Sequence, residues 1–226
     1  MIVVKALFHC DGLSQRRWGF EEDLFYRTDS PTCSKDSLML SLALMASYGW
    51  QSHSIDIKCA FLQGKEIERD VYVRPPKEFD DGYLWKLNKN VYGLNDAARA
   101  WYSKLKYVLM NLGMQISQLD PALFFWWRGN VLSGIMCVHV DDILLGGTSD
   151  FFANIVAPMK EQLTVGTSYD GEFFKYIGIN ITQKDGIIGL HQNDYVDSLE
   201  EIGLTQARAS RPLDKLGKGN CMTTEH

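Results

Sequence analysis

Long apolar runs and a signal peptide are both missing from this sequence. No segment approaches the roughly 18 consecutive apolar residues of a membrane span, and residues 1–8 lack the small-residue cleavage pattern of a signal peptide. The five cysteines are scattered and form no C-x-x-C pair, which argues against a zinc site or a disulfide scaffold. With 46% hydrophobic residues, the composition also excludes a disordered chain. These absences predict an intracellular globular protein with reduced thiols and no membrane partner.

Most catalytic signatures are missing as well. The sequence contains no G-x-S-x-G, G-x-x-x-x-G-K, H-E-x-x-H or G-x-G-x-x-G pattern, so hydrolase and dinucleotide-binding functions have no support. The five histidines show no metal-ligand spacing. A basic excess is missing too, because the net charge is -5, which argues mildly against a nucleic-acid partner. The carboxylates are the next candidates for chemistry.

The hydrophobic periodicity predicts a mixed order of helices and strands. Adjacent strands and helix-separated strands both occur, which is typical of an α+β fold with an antiparallel sheet and helices packed on one face. We interpret residues 1–210 as one domain and residues 211–226 as a weakly ordered tail. The predicted helices are 36–48, 96–112, 151–163 and 193–202, and the main predicted strands are 53–61, 69–74, 83–87, 123–127, 131–140, 143–145, 173–182 and 187–191.

Two adjacent acids, Asp141 and Asp142, stand between strongly apolar segments. By themselves they are best explained as a solvated hairpin turn, where Asp is common. Asp56 makes a functional role for these acids more plausible than the turn alone does. It lies in the middle of another alternating strand and gives a third carboxylate that strand pairing could bring close to Asp141 and Asp142. Three hard oxygen ligands suit Mg²⁺ or Mn²⁺. Two such ions catalyse in-line phosphoryl transfer in nucleotide polymerases.

Three segments carry a resemblance to a known family. In chain order they are 54–64 (SIDIKCAFLQG), 91–101 (VYGLNDAARAW) and 138–146 (VHVDDILLG). They closely resemble, in order and spacing, the palm motifs of reverse transcriptases from Ty1/copia-type LTR retrotransposons. Weaker similarity covers nearly the whole chain. The resemblance implies a polymerase palm-and-fingers fold whose early fingers are incomplete, and RNA- or DNA-templated DNA synthesis from deoxynucleoside triphosphates.

The resemblance also implies a two-metal site. By position, Asp56 and Asp141 match the principal ligands of two Mg²⁺ or Mn²⁺ ions. Asp142 matches the third member of the catalytic triad, and the Ile57 carbonyl matches a further metal contact.

A nucleotide pocket is implied next to the metals. Phe61 matches the side chain that collides with a ribose 2′-hydroxyl, while Cys59 and Ala60 match backbone donors to the triphosphate. Tyr92 and Gly93 match residues beneath the incoming base and sugar. Without the motif context, Phe61 would be read as a core residue and Gly93 as a turn.

The sequence departs from the family pattern at several positions. His139 stands where the family usually has Tyr before x-Asp-Asp, a change that leaves the metal ligands intact. Basic residues usual for the family are replaced by Leu7, Asp11, Met39 and Asn95. These replacements explain part of the acidic balance and predict weaker binding of phosphate groups.

The expected partners follow from the resemblance. They are an RNA or DNA template-primer, a dNTP and the remainder of a retrotransposon polyprotein with its RNase H and integrase, in a cytoplasmic virus-like particle or the nucleus. Three alternatives stay open: a catalytically inactive relic that keeps the fold, a palm-type nucleotide cyclase or other nucleotidyltransferase, and a purely structural domain. The last leaves Asp141 and Asp142 unexplained.

Overall fold

A computed structural model describes residues 3–9 and 28–199. Asp11, the predicted domain boundary at residue 210 and the predicted tail 211–226 lie outside these residues. The strands are β1 (Val3–His9), β2 (Ser52–Ile57), β3 (Tyr72–Val73), β4 (Tyr83–Leu87), β5 (Gln115–Ile116), β6 (Leu123–Arg128), β7 (Val131–His139), β8 (Asp142–Gly147), β9 (Val165–Tyr169), β10 (Phe173–Tyr176), β11 (Ile179–Lys184) and β12 (Ile187–His191). The helices are α1 (Lys35–Ser47), α2 (Ala97–Asn111), α3 (Ser149–Phe151), α4 (Ala157–Gln162) and α5 (Asn193–Asp197).

A six-stranded sheet forms the centre of the structure. Its strand order is β5-β6-β7-β8-β2-β9, and every neighbouring pair is antiparallel. The alternating pattern had predicted a strand over 53–61, but β2 ends at Ile57. Cys59 has a left-handed φ of 50°, which turns the chain out of the sheet and into the 3-10 turn Ala60–Gln63.

Helices pack on both faces of this sheet. Successive strand residues point to opposite faces, and the two hydrophobic clusters divide β8 in this way. Leu42 of α1 lies in one cluster with Leu144, whereas Leu105 of α2 lies in the other with Ile143. The α+β class with an antiparallel sheet is confirmed, but the expectation that all helices lie on one face is wrong. Periodicity shows that a helix has an apolar stripe and does not show which face of a sheet the stripe covers.

Two smaller sheets accompany the central one. The first has the order β1-β4-β3 and the second the order β10-β11-β12. The predicted strand 173–182 is two strands joined at Ile177 and Gly178, whose φ values of 41° and 82° are those of a type I′ hairpin turn. The chain divides into two compact units, residues 1–191 and 192–226, and α5 is the described element of the second.

The predicted helices agree best with the structure where the sequence marks the helix ends clearly. α2 matches the predicted helix 96–112, and Gly113 beyond its end has a φ of 94°. The predicted helix 151–163 is α3 and α4 joined by a π-helical turn, Phe152–Val156. Among the described residues, no helix has the length and apolar character needed to cross a membrane.

Candidate active site

Strand pairing places two of the three predicted acids directly side by side. Asp56 of β2 lies opposite Asp142 of β8, and Asp142 also lies opposite His139 of β7. Directly opposed residues have Cβ atoms about 4.5–5.5 Å apart and point to the same face. The structure therefore brings Asp56, Asp142 and His139 into one row at the end of the central sheet.

The third acid lies in a two-residue turn between β7 and β8. Val140 and Asp141 form this turn, and Val140 has a φ of 59°. A positive φ at the first turn position is a type II′ feature that glycine normally fills, so a β-branched residue there is strained. The Ile57 N–H donates to the Asp141 carbonyl oxygen at 2.9 Å and holds the turn against the end of β2.

A buried tryptophan holds the same turn from the helix side. The indole Nε1–H of Trp101, on α2, donates to the Val140 carbonyl oxygen at 2.7 Å, and Trp101 is fully buried. Trp101 ends the second quoted motif, but nothing in the sequence pattern assigned it this contact. The turn that carries Asp141 is thus fixed by one bond from α2 and one from β2.

The acids repel one another. Burial raises the pKa of Asp142 above its ordinary value of 3.8, and the negative charges of Asp141 and Asp56 raise it further. The His139 imidazole acts in the opposite direction. A divalent cation would relieve this repulsion, and three carboxylates are the oxygen donors that Mg²⁺ and Mn²⁺ prefer.

The donor set therefore fits a divalent ion by charge and chemistry. Among the described residues, no group of three or more His, Cys, Asp and Glu side chains converges closely enough to hold a metal ion. Ile57 is buried at the end of β2, beside the acids.

The raised pKa of Asp142 leads to a pH-dependent stability. A carboxyl group whose folded pKa is raised adds stability below its unfolded pKa, and this contribution is lost as pH rises through the folded pKa. Asp142→Asn removes this titrating group. In the presence of a chelator, the Tm of the variant minus the Tm of the parent should therefore rise by about 1–2 °C as the pH is raised from about 4 to about 7. Solvent screening keeps the effect small because Asp142 is half-buried.

Differential scanning fluorimetry across this pH range measures the difference. Asp185→Asn is a matched control, because Asp185 is exposed in the β11–β12 turn and its φ of 51° is one that Asn accepts. A Tm difference for Asp142→Asn that stays flat or shrinks as pH rises would contradict the prediction.

Two predicted pocket residues form an aromatic pair beside the acids. The rings of Phe61 and Tyr92 have centroids 4.3 Å apart with planes inclined by 39°. The Tyr92 hydroxyl donates a long hydrogen bond, 3.5 Å, to Asp141 Oδ2. Burial, followed by the charge of Asp141, raises the pKa of Tyr92. Phe61 also packs against the core, which agrees with its explanation as a core residue, and its contact with the sugar stays a prediction.

The remaining predicted pocket residues lie in two backbone turns. Gly93 has a φ of 98° in a turn closed by the Leu94 N–H donating to the Val91 carbonyl oxygen at 3.2 Å, as in a type II turn. Cys59 is exposed and Ala60 is fully buried at the start of the 3-10 turn. The first hydrogen bond of this turn runs from the Leu62 N–H to the Cys59 carbonyl oxygen. The N–H groups of Cys59 and Ala60 come earlier in the chain, and the first N–H groups of a helical turn have no intrahelical acceptor.

Two further residues at the site were missed by sequence reasoning. The Gln63 side-chain amide bridges the chain after β2 and the start of β9, and Gly166 of β9 lies against the Asp56 carboxylate. Gln63 lies in the quoted motif 54–64, but the motif assigned it no contact. Gly166 shows no sequence signal, since β9 was not predicted and its pairing with β2 joins segments about a hundred residues apart.

Comparison with known proteins gives the family. Residues 4–213 match the family "Reverse transcriptase (RNA-dependent DNA polymerase)". The Pol polyprotein of transposon RE1 from Arabidopsis thaliana is 30% identical over 194 residues, which are 84% of this chain and 13% of that protein. The polyprotein of transposon TNT 1-94 from Nicotiana tabacum is 28% identical over 99% of this chain and 17% of its own length. The chain thus spans less than a fifth of these relatives.

Similar solved structures include two telomerases. The telomerase of Candida albicans, in complex with a fragment of telomeric RNA, gives a TM-score of 0.43 at 11% identity over 82% of this chain and 37% of its own. The apo telomerase of Candida tropicalis gives 0.43 at 10% identity over 75% of this chain and 42% of its own. The family match, which spans most of the chain, confirms the resemblance drawn from the three motifs: the chain belongs to the reverse transcriptase (RNA-dependent DNA polymerase) family of Ty1/copia-type retrotransposon Pol polyproteins.

Proposed function

We propose that this chain is the polymerase core of a retrotransposon reverse transcriptase and transfers nucleotides from dNTPs to a primer 3′-hydroxyl. The observation that carries this proposal is the direct pairing of Asp56 with Asp142 beside the turn that holds Asp141. At this end of the sheet, Asp56 and Asp141 would hold two Mg²⁺ or Mn²⁺ ions, with Asp142 and the Ile57 carbonyl as further oxygen donors. Bound ions would activate the primer hydroxyl and stabilise the leaving pyrophosphate.

The chain's own residues would orient the nucleotide. The N–H groups of Cys59 and Ala60 would donate to the triphosphate, as helix-start amides do with phosphates. Tyr92 and Gly93 would lie beneath the base and sugar, with the Tyr92 ring kept in place by Phe61. The 3.5 Å contact from the Tyr92 hydroxyl to Asp141 Oδ2 would restrain that carboxylate.

The partners and location of the full protein belong to the same proposal. The chain would act on an RNA or DNA template-primer as part of a longer polyprotein with RNase H and integrase. The site of action would be a cytoplasmic virus-like particle or the nucleus, with no membrane partner. The polyprotein relatives support this context.

A catalytically inactive relic is the second candidate. Two observations favour it: no three donor side chains among the described residues converge closely enough for a metal, and the net charge of the chain is -5. In a relic the fold and weak nucleic-acid binding would persist while nucleotide transfer would be lost.

Primer extension separates the candidates. The chain is incubated at low salt with a DNA primer on an RNA template, dNTPs and Mg²⁺ or Mn²⁺, with chelator as control. Template-directed, metal-dependent extension supports the polymerase. Primer binding without extension by a folded chain supports the relic, and cyclic nucleotide products would assign a cyclase instead.

Sugar selectivity gives a further prediction. Phe61→Ala removes the ring that would collide with a ribose 2′-hydroxyl, so rNTP incorporation relative to dNTP incorporation should rise by about 10- to 100-fold. Single-nucleotide extension with matched rNTP and dNTP series measures the ratio.

The control for this variant is Phe79→Ala, because Phe79 is 65% exposed on a separate 3-10 turn. Unchanged discrimination in an active Phe61→Ala chain would remove Phe61 from the proposed sugar contact and leave it as a core residue.

A further inference from the structure

An irregularity in β9 lies directly opposite Asp56. Ile55 pairs with Ser168 and Ile57 pairs with Val165, so two residues of β9 face the single residue between them on β2. These two residues are Gly166 and Thr167. Extra residues of this kind form β-bulges, which occur next to active sites and redirect side chains.

The Asp56 carboxylate occupies the space where Gly166 lacks a side chain. A Cβ added to Gly166 would lie far inside van der Waals contact of Asp56 Oδ2. The same Cβ would be 3.4 Å from Asp56 Cγ and 3.4 Å from the Asp56 carbonyl oxygen, which are ordinary separations. The conflict is therefore with one carboxylate oxygen and spares the backbone.

The backbone of Gly166 does not itself require glycine. Its φ lies outside the left-handed region, unlike that of Gly93 or Gly113. An alanine would accept this backbone conformation, so the need for glycine arises from the position of the Asp56 side chain.

Side-chain hydrogen bonds hold this part of β9 in place. Gln63 Nε2–H donates to the carbonyl oxygens of Lys58 (2.6 Å) and Thr164 (2.9 Å), and Gln63 Oε1 accepts from the Thr164 N–H at 2.7 Å. The Lys58 N–H also donates to the Thr164 carbonyl oxygen at 3.1 Å. Thr164 is two residues from Gly166, so β9 has little freedom to move away from a new methyl group.

We propose that Gly166 is a positioning residue, whose missing side chain leaves room for one oxygen of the Asp56 carboxylate on the β9 side of β2. The proposal rests on the proposed function in one respect, the role of Asp56 as a metal ligand. With β9 fixed, a methyl group at Gly166 displaces this oxygen from the place that it occupies in the structure, and so changes the orientation in which Asp56 would meet an ion. The bulge supplies the space that a regular β9 would fill.

Metal binding tests the proposal without relying on turnover. Gly166→Ala should weaken Mn²⁺ binding by about 10- to 100-fold. Electron paramagnetic resonance, which detects the free ion, measures the affinity. Gly171→Ala is the matched control, because Gly171 follows β9, has no atom within 4 Å of an added Cβ and has a φ outside the left-handed region. Equal Mn²⁺ affinity in the Gly166→Ala and parent chains would overturn the proposal.

A stability cycle with Asp56 tests the contact itself. The change in Tm caused by Gly166→Ala should be less favourable in the metal-free parent than in Asp56→Ala by about 2–4 °C, because the conflicting oxygen is gone from the second background and an alanine in a compatible conformation is slightly stabilising there. An equal loss of Tm in both backgrounds would mean that Gly166 has a general structural role, and would overturn the proposal. If the parent binds no Mn²⁺, the proposed function fails, and the cycle alone decides whether Gly166 positions the carboxylate.

Discussion

Replacing Asp141 with Asn is expected to lower primer extension by about 10³-fold or more, because a lost metal ligand removes several kcal/mol of transition-state stabilisation and each 1.36 kcal/mol is tenfold in rate. Folding should be nearly unchanged. The charge of Asp141 is one of the causes that raise the pKa of Asp142, so neutralising it relieves repulsion. Steady-state extension in Mg²⁺ and in Mn²⁺, with thermal unfolding of the same samples, measures both effects.

Asp185→Asn is the matched control for Asp141→Asn. It makes the same chemical change in the β11–β12 turn, away from Asp56, Asp141 and Asp142. It should extend primers at the parent rate. Parental activity in Asp141→Asn would remove Asp141 from the site. Equal loss in both variants would indicate damage to the fold.

Trp101→Phe is expected to weaken both stability and catalysis. The Val140 carbonyl loses its 2.7 Å hydrogen bond while most of the ring stays in the core. Leaving a buried polar group unsatisfied costs about 1–3 kcal/mol of unfolding free energy, and the lower end of this range applies here because Val140 is half-buried. Val140 holds an unfavourable φ next to Asp141, so the freed turn should relax and displace Asp141. A 1 Å misplacement can lower kcat by about 10²-fold.

Denaturant unfolding and extension kinetics of Trp101→Phe are to be compared with Trp127→Phe. Trp127 lies at the end of β6 and is 42% exposed, so its change to Phe should affect neither quantity strongly. The kinetics are measured well below the Tm, so that lost activity reports the turn and not unfolding. A folded Trp101→Phe chain with parental kcat would show that the indole bond does not position Asp141.

Local patterns predicted the elements that carry the acids. The alternation around Asp56 and the apolar segments around Asp141 and Asp142 indicated strands, since side chains on a strand alternate with a period of two. α2 was predicted closely because its apolar stripe stops just before Gly113, and glycine commonly follows the end of a helix. In the structure Gly113 has a positive φ. The short β9 was missed, since it has four exposed residues out of five and no alternation to detect.

Contacts between distant segments could not be predicted in the same way. Two contacts depend on how α2 and the turn before it pack on the sheet: the ring contact of Phe61 with Tyr92 and the hydrogen bond of Trp101 to Val140. The same limit applies to α1, whose apolar residues gave no indication that it lies on the opposite face from α2. Packing of whole elements decides such contacts, and single-element periodicity carries no information on it.

By itself, the sequence determined the α+β class, the strand that carries Asp56, the two strands on either side of the acidic pair Asp141 and Asp142, and the motifs of the reverse transcriptase family. These depend on local periodicity, turn residues and short ordered motifs. Only the tertiary structure decided the strand register that sets Asp56 beside Asp142, the bond from Trp101 to Val140 and the space at Gly166 for the Asp56 carboxylate. Register and close packing depend on the simultaneous fit of segments far apart in the chain, because a one-residue slip of a strand moves every side chain to the other face.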